Sequence, residues 1–545
     1  MVIRFRLLII ILFIGYAALL FHLYDLQIVK GKQYLARAES QYLASSFINS
    51  KRGIIYFTDR DNNPFPAALN KNFPIAYAVP KLIFDAKETA NMLSGIIDVP
   101  VAELEKSFSN KKNSYKILAK KAGADVVKKI SDLDMNGIVV DSELARFYPS
   151  GKLASHLLGF VGPDEDSIVE SGHYGVEEFY NSELSPRTDL STSTRSLIGE
   201  TGADLFLTID LNIQSESEKI LNKLMETYKA TEGTILVADP STGRILGMAS
   251  APSFDLNEYQ NYPLSIFINP ATQHTYEPGS VFKVLTMAAG IDSGKITPQT
   301  KYVDTGQLKI NGRTIQNFDF KKFGPHGKIT MTEVIEQSLN TGAVFAEQQM
   351  GRDIFLKYLK RFGVDEKTGI DVPAEGRGNL KRLNPKEKDI AFATASYGQG
   401  VSVTPIELLS AVSAIANGGN LMRPYVNSAL LPKLVRRVVT EKTAMDVTGM
   451  MISAVNKAEV GKINGYNIAG KSGTAYVPDF KDGGYTEDVI NTYVGFGPAS
   501  NPKFIILVKI DKPIGAPLAG VTVVPAFRDL AQFIINYYSI APDAL

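Results

Sequence analysis

The longest apolar run in the chain comes first. Residues 7–23 (LLIIILFIGYAALLFHL) contain no Asp, Glu, Lys or Arg and are just long enough to cross a bilayer as a helix. The segment His22-Leu23-Tyr24-Asp25-Leu26-Gln27 offers no small residue for cleavage, and Ala36-Arg37-Ala38 lies too far downstream. An uncleaved anchor over residues 1–24 is therefore expected. Arg4 and Arg6 precede it and Lys30, Lys32 and Arg37 follow, so the positive-inside rule gives no orientation. Residues 23–42 continue in a helical pattern with mixed charges, consistent with a juxtamembrane stalk.

From Ser50 the texture changes to short apolar runs broken by Asn, Pro and Gly. Residues 52–57, 75–80 and 137–141 read as strands, and residues 87–93, 101–109 and 124–133 as helices. Residues 186–202, rich in Ser, Thr and Arg, read as an exposed linker or hairpin. A second texture starts near Leu205. Residues 205–209 form a strand, and Asp210 can cap an amphipathic helix running to residue 228. Residues 233–239 and 244–250 form a hairpin around Pro240-Ser241-Thr242-Gly243. Helices are expected around residues 331–350 and 405–417. Three antiparallel strands follow at 469–477, 491–496 and 504–509, with a last helix at 524–537. The pattern describes an α+β protein: an antiparallel sheet with helices on both faces, preceded by a smaller α+β region.

Composition narrows the chemistry. At 545 residues the chain is long enough for two or three domains, and 58 basic against 57 acidic residues give no argument for nucleic acid. There is no cysteine, which removes disulfides, thiolate ligands and Cys nucleophiles together. The five histidines, His22, His156, His173, His274 and His326, show no metal-ligand spacing. No cofactor and no metal are expected.

What remains is hydroxyl chemistry. In Tyr276-Glu277-Pro278-Gly279-Ser280-Val281-Phe282-Lys283 a turn ends where a helix begins, and Ser280 and Lys283 share one helical face. A lysine made neutral by burial can take the proton of a neighbouring serine, so Ser280 is a candidate nucleophile and Lys283 its base. Ser109-Asn110-Lys111-Lys112 has the same spacing in a polar stretch, so the pair alone is a weak signal. Two further motifs strengthen it. Ser338-Leu339-Asn340 lies at a helix-to-turn transition, where a hydroxyl could relay a proton. Lys471-Ser472-Gly473-Thr474 lies on a strand, where Lys471 could hold a carboxylate. There Gly473 would let substrate approach the backbone, with the Thr474 N–H facing an oxyanion. Lys367-Thr368-Gly369 fits the same pattern but sits in a charged, turn-like segment and is read as a loop.

The ordered set Ser-x-x-Lys, Ser-x-Asn, Lys-Ser-Gly is shared by penicillin-binding proteins and serine β-lactamases. With Arg146-Phe147-Tyr148-Pro149, Gly175-Val176-Glu177, Tyr397-Gly398-Gln399-Gly400 and Gly495-Phe496-Gly497-Pro498, the chain resembles a class B penicillin-binding protein over nearly its whole length. Within that class it looks most like the septal, division-specific branch. The resemblance implies a penicillin-recognising serine transpeptidase fold over residues 201–545, a non-catalytic pedestal of dimerisation type over residues 25–200, and the anchor. Ser280 would be acylated, with Lys283 as general base and Ser338 as proton relay. Asn340 would hold the donor-peptide amide. Lys471, Ser472 and Thr474 would hold the substrate carboxylate, and the N–H groups of Ser280 and Thr474 would form the oxyanion hole. The family's early Arg-Gly-x-Ile-x-Asp-Arg run appears here with extra residues before Asp59, which leaves its local pairing open.

The resemblance further implies cross-linking of peptidoglycan stem peptides during cell-wall synthesis and acylation by β-lactam antibiotics. The location it implies is the bacterial cytoplasmic membrane, with the catalytic part outside the cytoplasm. Partners implied are a membrane-embedded glycan polymerase and other division proteins, contacted through anchor and pedestal. The rivals are an elongation-type class B transpeptidase, a carboxypeptidase, a β-lactamase, and a non-catalytic β-lactam sensor or division scaffold.

Overall fold

The structure is a computed structural model and describes residues 2–24, 51–113, 115–164, 167–186, 201–384, 386–479, 481–516 and 518–544. The stalk expected beyond residue 24 and most of the linker expected at 186–202 lie outside them. Val2–Tyr24 is one helix of 23 residues, with side chains described from Leu12 on. Among the described residues, no helix is long and apolar enough to cross a membrane.

Two compact units emerge. The first is centred on Leu69–Phe147; the second takes Ile54–Ala68, Tyr148–Leu184 and Asp204–Leu545. The second unit thus includes stretches that the sequence reading placed with the pedestal, and the reason is pairing. Ile55 pairs in parallel with Leu205, and Tyr148 exchanges two hydrogen bonds with the Asn257 amide, at 3.0 and 2.9 Å.

In the first unit, the later part of the strand Pro64–Ala78 pairs antiparallel with Ile138–Phe147, from Leu69 opposite Phe147 to Ala78 opposite Ile138. Helices Ala86–Ile97, Val101–Ser109 and Ala124–Asp132 supply Leu93, Leu104, Phe108 and Ile130 to a small core with Ala76 and Ala78. Asp85 caps the first of these helices by accepting from the amides of Lys87 and Glu88. Ser109 and Lys112 lie exposed at and just beyond a helix end.

The second unit is organised by a five-stranded antiparallel sheet in the order Ala469–Pro478, Tyr485–Gly497, Phe504–Asp511, Glu232–Ala238, Ile245–Ala251. Alternate side chains feed opposite faces. Ile235, Val237, Ile506, Val508 and Ile510 pack with Leu221, Phe527, Leu530 and Ile534 of helices Leu211–Tyr228 and Val523–Tyr537. Leu236, Ala238, Ile505 and Leu507 pack with Val284, Leu285, Ile406 and Leu409 of helices Lys283–Asp292 and Pro405–Ala416. The central strands are buried on both faces and read as continuous apolar runs for that reason. Asp210 caps Leu211–Tyr228 through the amides of Asn212 and Ile213.

The open pairing near Asp59 resolves as a hairpin in the second unit. Ile55–Thr58 pairs with Pro64–Ala68, and Asp59 accepts from the amides of Asp61 and Asn63 across the turn. Residues 331–350, expected as one helix, form two: Met331–Gln337 and Asn340–Met350. Ser338 separates them in the left-handed region at φ 57°, a conformation that costs a non-glycine residue free energy and persists only when the surroundings hold it.

Leu507 is fully buried in the third strand, against the helices that carry the candidate site. Leu507→Ala is expected to destabilise the protein by about 3 kcal/mol, measured as a shift of the urea unfolding midpoint.

Candidate active site

Ser280 lies in a single 3-10 turn, Gly279–Phe282, that runs directly into the α-helix Lys283–Asp292. The turn is fastened to the segment 398–403. Tyr276 and Val403 exchange two backbone hydrogen bonds of 3.0 Å, and the Gly279 N–H donates to the Gly398 carbonyl at 3.2 Å. Glu277 adds a side-chain tie. It accepts from the Gly400 N–H at 2.9 Å and from the Tyr485 hydroxyl at 3.0 Å. The Ser280 N–H, next in the turn, has no intrahelical acceptor and is free to face a ligand.

Lys283 is fully buried and Lys471 nearly so. Both reach Ser338. The Lys283 Nζ donates to the Ser338 carbonyl at 2.5 Å and to its Oγ at 3.3 Å. The Lys471 Nζ donates to the same Oγ at 3.0 Å and to the Ser472 carbonyl at 2.9 Å. The left-handed turn at Ser338 presents both oxygens in one direction. Burial, then repulsion from Lys471, pushes the Lys283 ammonium far below its ordinary pKa, with Asp319 opposing. Burial alone pushes Lys471 down to about 7. Two cations sharing one hydroxyl repel each other, and burial lowers both amines, with repulsion from Lys471 adding to the effect on Lys283. A neutral amine has two N–H donors, matched here by the two Ser338 oxygens, and keeps a lone pair for a serine proton. Ser338 Oγ, receiving from both lysines, keeps its own proton to donate.

Lys471 sits on the edge strand Ala469–Pro478, beside the serine turn. Gly473 was expected to admit substrate; what it admits is that turn. A Cβ at Gly473 would lie 2.8 Å from the Pro278 carbonyl oxygen and 3.0 Å from Val281 Cγ2. The Thr474 carbonyl faces the same way, 3.1 Å from where a Gly279 Cβ would stand. Within a strand the N–H and C=O of one residue point to the same side, so the Thr474 N–H also faces the turn. The Thr474 hydroxyl is already engaged: it donates to Asn491 Oδ1 at 3.1 Å and accepts from the Ala519 N–H at 3.2 Å. Ser472 is half-buried, and its hydroxyl bonds no described residue. Asn340 Nδ2 donates to the Gln316 carbonyl at 2.9 Å, which leaves its Oδ1 open.

Several supporting residues were not visible in the sequence. Asp304, buried, accepts from Thr341 Oγ1 at 2.6 Å, Asn317 Nδ2 at 3.0 Å and the His326 N–H at 2.9 Å. Burial acts to raise its pKa, but these hydrogen bonds outweigh it and hold the carboxylate below the usual range. Asn317 Oδ1 in turn accepts from the Thr341 N–H at 3.1 Å. The network pins the first turn of Asn340–Met350, hence the turn at Ser338. Lys367-Thr368-Gly369 is a loop whose amides at Thr368 and Gly369 donate to Glu375. His274 pairs with Glu232 at 2.7 Å, and Glu232 also meets the buried Lys509 at 3.1 Å, across two inner strands of the sheet.

Residues 233–532 match the model of the penicillin binding protein transpeptidase domain, and residues 47–205 that of the penicillin-binding protein dimerisation domain. The chain is 32% identical to stage V sporulation protein D of Bacillus subtilis over 91% of its own length and 80% of that protein. It is 28% identical to peptidoglycan D,D-transpeptidase FtsI of Escherichia coli, covering 99% of this chain and 93% of that one. In fold it is similar to penicillin binding protein 2X of Streptococcus thermophilus, with a TM-score of 0.70 and 22% identity over 91% of this chain and 81% of that one. Penicillin binding protein 3 of Mycobacterium tuberculosis, complexed with aztreonam, gives the same score and identity over 91% and 98%.

The lysine electrostatics set a pH dependence. An ordinary lysine loses its proton only near pH 10.4, whereas the depressed pKa of Lys283 makes its neutral form abundant at lower pH. Acylation of Ser280 by a small chromogenic thioester is expected to rise with pH and to level off once Lys283 is neutral, well below the pH at which an ordinary lysine loses its proton. Lys283→Arg, which cannot shed its proton, should lower the rate by roughly 10²–10⁴-fold and abolish that rise.

Proposed function

The chain belongs to the penicillin-binding protein transpeptidases, and from that membership we propose that it is a class B peptidoglycan D,D-transpeptidase working through an acyl-enzyme on Ser280. The observation that carries the reading is the convergence of Lys283 and Lys471 on Ser338 beside the serine turn and the strand edge.

The mechanism runs in two halves. Ser280 Oγ attacks the penultimate D-Ala carbonyl of a donor stem peptide while its proton passes to the lone pair of Lys283. The N–H groups of Ser280 and Thr474 receive the developing oxyanion. Collapse breaks the peptide bond. The leaving D-Ala nitrogen takes the Ser338 proton, which Lys283 replaces. Lys471 and Ser472 hold the terminal carboxylate, with Thr474 beside them once its hydroxyl turns from Asn491. Asn340 holds the donor amide through Oδ1. In the second half an amine of a neighbouring stem peptide loses its proton through the same relay and attacks the acyl carbonyl. Ser280 is regenerated and the cross-link formed. A β-lactam enters by the first half alone.

The role in septal division is favoured by the Tyr397-Gly398-Gln399-Gly400 and Gly495-Phe496-Gly497-Pro498 stretches. Residues 1–24 act as a single-pass anchor in the bacterial cytoplasmic membrane, a reading that the apolar run at 7–23 supports. Residues 25–200 form the pedestal and residues 201–545 the extracytoplasmic transpeptidase domain, with a membrane-embedded glycan polymerase and other division proteins as partners.

Labelling with a fluorescent penicillin tests the assignment. Wild type should label covalently and stay labelled, Ser280→Ala should not label, and Lys283→Ala should label far more slowly. Equal labelling of Ser280→Ala would overturn it.

A further inference from the structure

The catalytic scheme leaves unused the segment that borders the Ser338 turn from one side. Gln316 and Asn317, which hold Asn340 and Thr341, are followed by Phe318-Asp319-Phe320-Lys321-Lys322-Phe323-Gly324-Pro325-His326. This flap is fixed in place. The Asn317 N–H donates to the Gly306 carbonyl, and Phe320–Phe323 closes one helical turn. The Phe320 ring lies so close over Gly306 that a Cβ there would meet it at 2.0 Å. His326 closes the far end, pairing through Nε2 with Asp319 at 3.0 Å and through its N–H with Asp304 at 2.9 Å.

On this fixed frame the flap turns two aromatic rings outward. Phe318 is 69% exposed and Phe323 65% exposed, while Phe320 between them is folded in. Val303, 67% exposed, stands opposite Lys328 in the paired strands Lys301–Asp304 and Gly327–Thr330. Lys321, Lys322 and Lys328 are exposed among them, and the Lys322 ammonium lies 4.9 Å from the Phe323 ring centre. The one carboxylate of the flap, Asp319, is turned inward to His326, so the outer face carries cations only. Two phenylalanine rings held out in water by a hydrogen-bonded frame forgo burial worth about 1.5–3 kcal/mol each, which marks a surface made to be covered.

We propose that this flap is a docking surface for an acidic glycopeptide strand, the polymer whose stem peptide enters the cleft beside Ser338. The inference rests on the transpeptidase reading. The occupant follows from chemistry and position. The rings offer flat apolar faces for the C–H faces of sugars, and the lysines match carboxylates along the stem peptides. The surface continues the catalytic turn through Gln316 and Asn317, so what covers it extends from what reacts at Ser280. A β-lactam reaches only the cleft and leaves the flap untouched. The flap thus selects polymer through its outer face, while Asp319, turned inward, bears on Lys283; Phe318 and Phe323 determine specificity.

The test uses the full chain and two readouts. In the first, Ser280→Ala protein is titrated with purified uncross-linked peptidoglycan strands, with and without Phe318→Ala/Phe323→Ala. The double change is expected to weaken binding by about tenfold, and Phe318→Tyr/Phe323→Tyr should restore it. Lys321→Ala/Lys322→Ala should weaken binding at low salt and matter less at high salt. In the second, acylation by fluorescent penicillin is measured on the same flap variants with Ser280 intact and should stay within about twofold of wild type. Unchanged strand binding in the aromatic double variant would overturn the proposal, as would a parallel loss of penicillin acylation. Penicillin labelling of Ser280→Ala would instead strike the transpeptidase reading itself, so the two failures are distinguishable.

Discussion

One hydroxyl shared by two buried lysines is the constraint on which the rest of the site depends. Neither Lys283 nor Lys471 can keep a full charge cheaply where it lies, and both have only Ser338 and nearby carbonyls to lean on. Lys471 makes the Lys283 proton harder to hold. The result is a pair in which one amine is driven toward neutrality, with the Asp319 carboxylate opposing the shift without overcoming it. In a chain with five histidines and no cysteine, like-charge repulsion and burial supply the base. The same repulsion requires tight positioning, since relaxation of either lysine toward water would return it to an ordinary ammonium.

That positioning comes from backbone more than from side chains. The serine turn is held on one side by hydrogen bonds from Tyr276 and Gly279 to Val403 and Gly398, and on the other by the close approach of the edge strand at Gly473. The Ser338 turn is held by the Asp304–Thr341–Asn317 network. Neither anchor touches a reacting atom. Both keep a strained or crowded backbone where the chemistry needs it, and a carboxylate buried under several hydrogen bonds is a stiff support.

What could be read in the chain beforehand was what is local. Asp210 and its helix, Val101–Ser109 and the alternating sheet strands follow from capping residues and periodicity within a few positions. The motif residues were found because their spacing and order recur in a family. The supports escaped notice because their partners are distant in sequence. Glu277 meets Tyr485 across 208 positions, and Thr341 meets Asp304 across 37. A helix-to-turn transition was legible at Ser338, but its left-handed backbone was not. Residues 331–350 keep helical periodicity through the interruption, so pattern alone spans a kink that tertiary hydrogen bonds impose. Gly473 shows a third limit: close approach was legible, but what approaches was not.

The proposed relay centred on Ser338 is indifferent to the nucleophile that completes the reaction, since an amine and a water present the same proton to the same hydroxyl. Partition between cross-linking and hydrolysis must then be decided by access and by the lack of a second base. Glu277 is the carboxylate nearest in sequence to Ser280, yet both its oxygens are occupied, one by the Gly400 N–H and one by the Tyr485 hydroxyl. Burial raises its pKa, but an engaged carboxylate is poorly placed to strip a proton from water. Tying this group into the fold therefore serves two ends. It holds the serine turn against its neighbours, and it keeps the acyl-enzyme waiting for an amine that arrives on a strand.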